Sequence, residues 1–505
     1  KAVGVEYLLG QVEQGDRANV LHIATHFSNL MKVSENIVVR RLAGASLLAI
    51  APALTPDRRN EVAVELSKVL ETGQTEISQY IPQYLGQFAL WLTPRELDEI
   101  VDQMQILLSS ANTVVVAAAL ATVGAMLEHY AIYAQRFHES REVLERRWRR
   151  LAGLLLKGLA SYRQSMRQEA LQILGERLFA SQTLSYEGKA ALFTLMAKKI
   201  LFLLGEQPEQ ELSFFYTAAA LSHIYRFIVS YQIESGDFPF YMPARAAFFP
   251  GTFDPFSAGH KEIVRAIHGM GLEVYLAIDE FSWSKRTIPK LLRRKMAAIS
   301  VADLWDVYLF PDNMPINIAS PEDLAALAGK FPGRELYLAA GSDVIFGASA
   351  YQTEAPGSAR YYNHVIFRRA TDQTAGEKLA QILRGKWELV SLPAWCETVS
   401  STQIREYVDK NLDISVLVDP IVQSYIYANG LYLRSPQFKN VLAPGDLYFE
   451  RARESREPLP PLLRAAMDRH RGSWGILLQA RSAQEPLGWV CGHTVTSSQL
   501  LETLG

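Results

Sequence analysis

Two short strings in this chain hold residue types suited to phosphate chemistry. The first is Phe248-Phe249-Pro250-Gly251-Thr252-Phe253-Asp254-Pro255-Phe256-Ser257-Ala258-Gly259-His260, followed by a helical pattern over Lys261–His268. Gly251 and Gly259 let the backbone bend close to a ligand, since a residue without Cβ accepts conformations and approaches that others refuse. The first N–H groups of the next helix lack intrahelical partners, and such a helix start attracts anions. His260 stands at that start, so its imidazole can donate to the same anion. The second string, Thr398-Val399-Ser400-Ser401-Thr402-Gln403-Ile404-Arg405, opens a helix running through Tyr407 and Val408. Its hydroxyls offer caps and anion contacts, and Arg405 adds a forked positive charge one turn in.

The elements that must carry these strings follow from periodicity. Short apolar runs predict strands at Ala246–Phe249, Glu273–Ile278, Asp306–Phe310, Glu335–Ala339, His364–Phe367 and Glu388–Leu392. Helices are predicted to start near His260, Pro289, Pro321, Ser342 and Ala375, with Arg293 and Arg294 on a partly solvated face. Strand–helix alternation predicts a parallel sheet covered on both faces, with ligands at the carboxyl ends of its strands.

Before this stretch the pattern is helical throughout, and it stops near Ser235-Gly236-Asp237-Phe238-Pro239. Leu54-Thr55-Pro56 is echoed by Leu92-Thr93-Pro94, each with a Thr cap and a Pro in the first turn. The offset lies near the period of helical-pair repeats, so the region resembles a HEAT-type solenoid. Gln103–Leu127 carries no charge and is long enough to span a bilayer, but Ser109, Ser110, Asn112 and Thr113 interrupt it. Two helices meeting at a turn are expected there. Arg146-Arg147-Trp148-Arg149-Arg150 reads as a solvated helix face, with Trp148 packing inward and Glu142 and Glu145 offsetting the charge.

After Arg434 comes a smaller region: a proline-rich turn at Pro458–Pro461, a helix around Leu462–Arg471, and strands at Trp474–Gln479 and Leu487–Val490. It resembles the central strands of a GNAT-type acetyltransferase, without that family's glycine-rich acetyl-CoA loop. It reads as the incomplete start of another domain. The expected domains are thus 1–240, 244–434 and 435–505. A net charge of −2 gives no reason to expect nucleic acid or an anionic membrane as partner. The two cysteines, Cys396 and Cys491, fit no metal-ligand spacing or disulfide framework, and Lys1 opens no signal-peptide pattern. A reducing, cytoplasmic setting is the expectation.

Taken whole, the first string resembles the G-x-F-D-P-x-H-x-G-H signature of the nucleotidyltransferase superfamily, in particular the nicotinate-nucleotide adenylyltransferases. The second resembles that superfamily's I-S-S-T-x-I-R motif, with Val399 for the first Ile. Val418–Tyr432, with its Asn429-Gly430-Leu431-Tyr432 ending, resembles the closing helix of the same family; Gly430 reads as a helix stop, with Tyr425 and Tyr432 packing. The resemblance implies a Rossmann-like domain that transfers AMP from ATP to nicotinate or nicotinamide mononucleotide and releases pyrophosphate. It implies that His260, Lys285 and Arg405 stabilise charge on the phosphates. Gly251, Thr252, Phe253, Ser257, Gly259, Gly341, Asp343, Ser401 and Thr402 would contact the nucleotide. Tyr351, Arg368 and Arg369 fall near the acceptor pocket. Ser257 stands where the signature has its first histidine, which puts full activity in question. Mg²⁺ would ride on the ATP phosphates with little protein ligation. A cytidylyltransferase for another phosphate acceptor, a weakened site that only senses nucleotide, and a scaffold acting through the helical region (by a protein partner or self-association) are the alternatives.

Overall fold

The structure is a computed structural model that describes the chain except residues 15–18, 76–78, 207–210, 280–286, 368–374, 391, 434–446, 456–458, 470–472, 481–485, 487 and 496–505. It divides into two compact units, Lys1–Tyr432 and Leu433–Gly505. The helical and sheet regions therefore share one unit.

The helical part begins at Ala2–Glu13 and closes with Glu211–Ser235. Both echoed Thr-Pro pairs start helices as expected: Thr55 precedes Pro56–Glu71 and Thr93 precedes Pro94–Leu107, where Glu96 completes a capping box. The uncharged stretch breaks at Ser109–Asn112, and Asn112 caps the next helix, Thr113–Arg136. Among the described residues this is the one helix long and apolar enough to cross a membrane, and 67% of its apolar window is buried inside the fold. Small residues explain that burial. A Cβ on Gly86 would collide with Ala125, and one on Gly124 with Ile173, so backbones pack at contact distance. The basic run is less solvated than expected. Arg149 pairs outward with Glu145 at 2.7 Å, but Arg147 is 4% exposed and held by Asp98 and Glu139, both at 2.6 Å.

Six parallel strands follow: β1 Arg245–Gly251, β2 Leu272–Ile278, β3 Val307–Leu309, β4 Glu335–Gly341, β5 Asn363–Phe367 and β6 Trp387–Val390. Their spatial order is β3-β2-β1-β4-β5-β6. This is a doubly wound, Rossmann-like sheet, and the chain reverses its direction of travel between β1 and β4. Alternation along β1 covers both faces: Ala247 and Phe249 join one apolar layer, Ala246 and Phe248 the other. Each expected strand and helix start in this stretch lies within a few residues of an observed one.

The helical region meets the sheet through buried polar side chains. Lys199, fully buried on helix Tyr186–Gly205, donates to the carbonyls of Val301 and Val307. Arg294 corrects the expectation of a solvated face: it is 6% exposed, pairs with Glu206 of the helical region, and donates to Phe310 O at 3.1 Å.

In the second unit, β7 Leu447–Arg451, β8 Ser473–Ala480 and β9 Gly488–His493 form an antiparallel sheet beside helix Pro461–Asp468. β7 was not foreseen from the sequence. Leu487 and Pro458 lie outside the described residues.

Candidate functional site

A cleft of about 700 Å³ opens at the carboxyl ends of β1 and β4, where the winding reverses. Gly251, Thr252, Phe253, Ser257, Gly259, His260, Gly341, Asp343, Tyr351, Ser401, Thr402 and Arg405 all line it. The two strings that sequence placed far apart are thus brought to one site. Lys285, Arg368 and Arg369 lie outside the described residues.

The first arm is the β1 loop. A Cβ on Gly251 would sit 2.8 Å from the ring of Phe253, so glycine leaves room for that ring to fold back. Phe253 itself has φ 46°. Ser257 caps helix Ala258–Gly269, its Oγ accepting from His260 N at 3.2 Å. The cap is reciprocal: Ser257 N–H donates to His260 Nδ1 at 3.0 Å, and Ser257 Oγ lies 2.9 Å from the same nitrogen. A backbone N–H can only donate, so Nδ1 is an acceptor and the ring carries its proton on Nε2. Phe253 and Phe256 flank the imidazole at 5.1 and 5.4 Å between ring centres. Burial among them pulls the His260 pKa down to about 4, so the ring is neutral near pH 7.

The helix start is less open than its sequence implied. Ala258 N–H donates to Leu417 O at 2.7 Å and His260 N–H is taken by Ser257, which leaves Gly259 as the early amide that these bonds do not use.

The second arm is the start of helix Ser401–Asp409, capped by Ser400, whose Oγ accepts from Gln403 N at 3.1 Å. It is bonded directly to the first arm. Ser401 Oγ donates to Pro255 O at 2.9 Å, and Arg405 Nη1 donates to Asp254 O at 2.5 Å. Arg405 Nη2 reaches Thr402 Oγ1 at 3.1 Å. Arg405 forms no ion pair among the described residues, and these bonds go to a carbonyl and a hydroxyl.

Several residues that hold the site were missed or misjudged from sequence. Arg293 is 1% exposed, not solvated; it donates to Ile288 O, Thr252 O and Asp279 O at 3.0, 2.6 and 2.8 Å. One guanidinium thus gathers the loops after β1 and β2, using the fan of donors that only arginine presents. Tyr432, expected only to pack, donates its hydroxyl to Asp254 Oδ1 at 2.7 Å. Asp254 is 3% exposed, and its Oδ2 has no hydrogen-bond partner among the described residues. On the β4 side, a Cβ on Gly341 would collide with the exposed carboxylate of Asp343. Tyr351 is 2% exposed and donates to His364 Nε2 at 3.1 Å, the other ring nitrogen of His364 donating to Tyr362 O. Burial holds the His364 pKa at about 4. Among the described residues no group of three or more His, Cys, Asp or Glu gathers as a metal cluster would.

No protein-family model matches the chain, and no curated protein matches it. Among solved structures it is similar to nicotinic acid mononucleotide adenylyltransferase of Plasmodium falciparum. The complex of that protein with NaAD gives a TM-score of 0.33, and its complex with APC gives 0.32. Identity is 18% in both, over 37% of this chain and 97% of that one.

Proposed function

We propose that the Rossmann-like region is a nucleotidyltransferase that joins the adenylyl group of ATP to the phosphate of a mononucleotide, nicotinate or nicotinamide mononucleotide. The observation that carries this reading is the pair of hydrogen bonds from Ser401 and Arg405 to the carbonyls of Pro255 and Asp254. They close two phosphate-binding strings over a single cleft at the switch point of the sheet.

In the proposed reaction an oxygen of the acceptor phosphate attacks the α-phosphorus of ATP. The bond from that phosphorus to the bridging oxygen breaks, and pyrophosphate leaves with the electron pair. A phosphate monoester is already anionic, so no general base is needed. The chain contributes position and charge stabilisation. Neutral His260 offers Nε2–H to a phosphate oxygen, and Arg405 offers a permanent cation to the leaving phosphates. Mg²⁺ would enter on the ATP phosphates and add charge neutralisation, held mostly by phosphate and water; Asp343, exposed and lining the cleft, is the carboxylate that could meet it.

The test is a pyrophosphate-release assay with MgATP against each mononucleotide. Release that depends on one of them supports the reading and identifies the acceptor base. ATP binding without release from either would leave a nucleotide sensor, a reading favoured by the engagement of Ser257 Oγ with His260 in place of a second histidine. Release with CTP and another phosphate ester would make it a cytidylyltransferase.

A further inference from the structure

Behind the first arm of the cleft lies a cluster of four charged groups that the proposed reaction does not use. Lys157, 6% exposed on helix Arg141–Ala160, donates to Ile299 O at 3.0 Å and to the Asp419 carboxylate, with Asp303 at 3.4 Å. Lys261 donates to both oxygens of Asp303, at 2.9 and 3.2 Å, and reaches Asp419 at 3.4 Å. Two ammonium groups therefore alternate with two carboxylates, and removal of any one leaves a net charge in a desolvated place. Burial disfavours the Lys157 ammonium, but Asp303 and Asp419 outweigh it and hold its pKa above the ordinary lysine value.

Lys261 and Asp419 belong to segments bonded to the loops of the cleft. Lys261 follows His260 in the first turn of helix Ala258–Gly269. Asp419 caps helix Pro420–Ala428 through Ile421 N at 3.1 Å, and the chain beyond that helix reaches Tyr432 and its bond to Asp254. Just before Asp419, Leu417 O accepts the Ala258 N–H. A second cavity of about 200 Å³ is lined by all four charged residues and by Ser257 and Ala258, so the cluster abuts the back of the cap that orients His260. The helix that carries Lys157 runs close to this turn: a Cβ added at Gly153 would meet Asp303 at an ordinary 3.4 Å.

We infer that Lys157, carried by the helical region, is a positioning residue of the nucleotide cleft, holding the first turn of the His260 helix through Asp303, Lys261 and Asp419. It rests on the proposed adenylyl transfer only for its effect on turnover. The helical region is then part of the active enzyme and not a passenger beside it.

The experiment uses the full chain and two readings: pyrophosphate release, and the imidazole ¹⁵N signals of His260, assigned by their loss in His260→Gln. In the unaltered protein those signals should report Nε2 protonated and Nδ1 accepting, as the Ser257 N–H requires. Lys157→Met should move them and lower turnover on the order of a hundredfold, as a displaced catalytic geometry does, at temperatures well below its unfolding midpoint. Lys157→Arg, which restores a cation, should recover both readings. Arg147→Met, which breaks another buried charge cluster on the same helix, should lower the unfolding midpoint but leave the ring signals in place. Should Lys157→Met fail to fold, Asp419→Asn keeps the cap, removes the charge and takes its place with the same expected shifts. Folded Lys157→Met with unaltered ring signals overturns the inference, as does an equal shift in Arg147→Met. If the unaltered protein releases no pyrophosphate, the adenylyl-transfer reading fails alone, and the ring signals still decide the role of Lys157.

Discussion

The two arms of the cleft handle charge in opposite ways. On the β1 arm His260 is neutral, boxed by Phe253 and Phe256, and fixed in one tautomer by the Ser257 N–H. On the other arm Arg405 is a permanent cation whose described contacts, a carbonyl and a hydroxyl, are neutral. A neutral donor acts through direction, so the protein spends a reciprocal cap and two aromatic rings on aiming it. A cation acts mainly through proximity, and among the described residues no carboxylate forms an ion pair with this one. The difference teaches where each arm should fail: the first by loss of orientation, the second by loss of charge.

The largest expected effect tests the first arm. His260→Ala should keep the fold and lower turnover at least about a hundredfold, the usual cost of removing one donor to developing charge; unchanged turnover in a pyrophosphate-release assay would take His260 out of the mechanism. The second arm should respond differently. Arg405→Met removes charge-assisted hydrogen bonds worth about 1.5–3 kcal/mol, so kcat/KM for ATP should fall about tenfold to a hundredfold, with Arg405→Lys intermediate because it keeps the charge and loses the fork. If Lys proves as damaging as Met, geometry and not charge governs that arm, and the contrast breaks. Between the arms, Tyr432→Phe leaves the buried Asp254 carboxylate with neither oxygen paired to that hydroxyl. An unfolding titration should show a loss of about 1–3 kcal/mol; no loss would mean that Tyr432 only packs.

What was legible in the sequence follows from which interactions are local. Short apolar runs carried the six strands, because a sheet covered on both faces buries successive residues, and a period of 3.6 carried the helices, because burial of one face writes itself into neighbouring positions. Thr55, Thr93 and Asn112 were readable as helix starts for the same reason: a cap and its helix are adjacent. That the twelve described residues line one cleft fits how they read in sequence, as strand-end loops and helix starts; that they bind phosphate is the proposal. Arg293, Arg294 and Arg147 were misjudged as solvated, since nothing near them in sequence shows the carbonyls of Thr252 and Asp279 or the carboxylates of Glu206 and Asp98 that bury them. The bond from Tyr432 to Asp254 and the Lys157 cluster were invisible for that reason too. One signal was available: an arginine or lysine inside an apolar helical pattern, as Lys157 is between Leu156 and Gly158, asks for a distant partner.

A smaller effect probes how the ring is aimed. Ser257→Ala removes the cap and the hydroxyl beside Nδ1 but leaves the Ser257 backbone N–H donation in place. Stability should fall by about 0.5–2 kcal/mol, the range for a lost helix cap, while the Nε2–H tautomer persists. Ser257→His, which restores the residue type of the resembled signature, should raise turnover if a second ring at this position adds to charge stabilisation. Loss of the tautomer in Ser257→Ala would mean that the hydroxyl, not the backbone, sets the proton.

The last prediction concerns protons, and it separates the arms without touching a phosphate. A guanidinium keeps its proton in proteins generally, whereas burial holds the His260 pKa at about 4, as it does that of His364. An unfolded histidine titrates near about 6.5. Between these values the unfolded chain binds protons that the folded chain refuses, so stability from these rings is complete above about pH 6.5 and drains away as pH falls toward about 4. Unfolding titrations across that window should show the decline, and His260→Gln should make it shallower. Turnover is a poorer probe, because the acceptor phosphate itself changes charge near pH 6. A ¹⁵N titration of the ring is direct: a midpoint near about 4 fits an imidazole boxed by Phe253 and Phe256, while one near the unfolded value of about 6.5 would mean that the first arm also works as a cation, and that the two arms are not opposites.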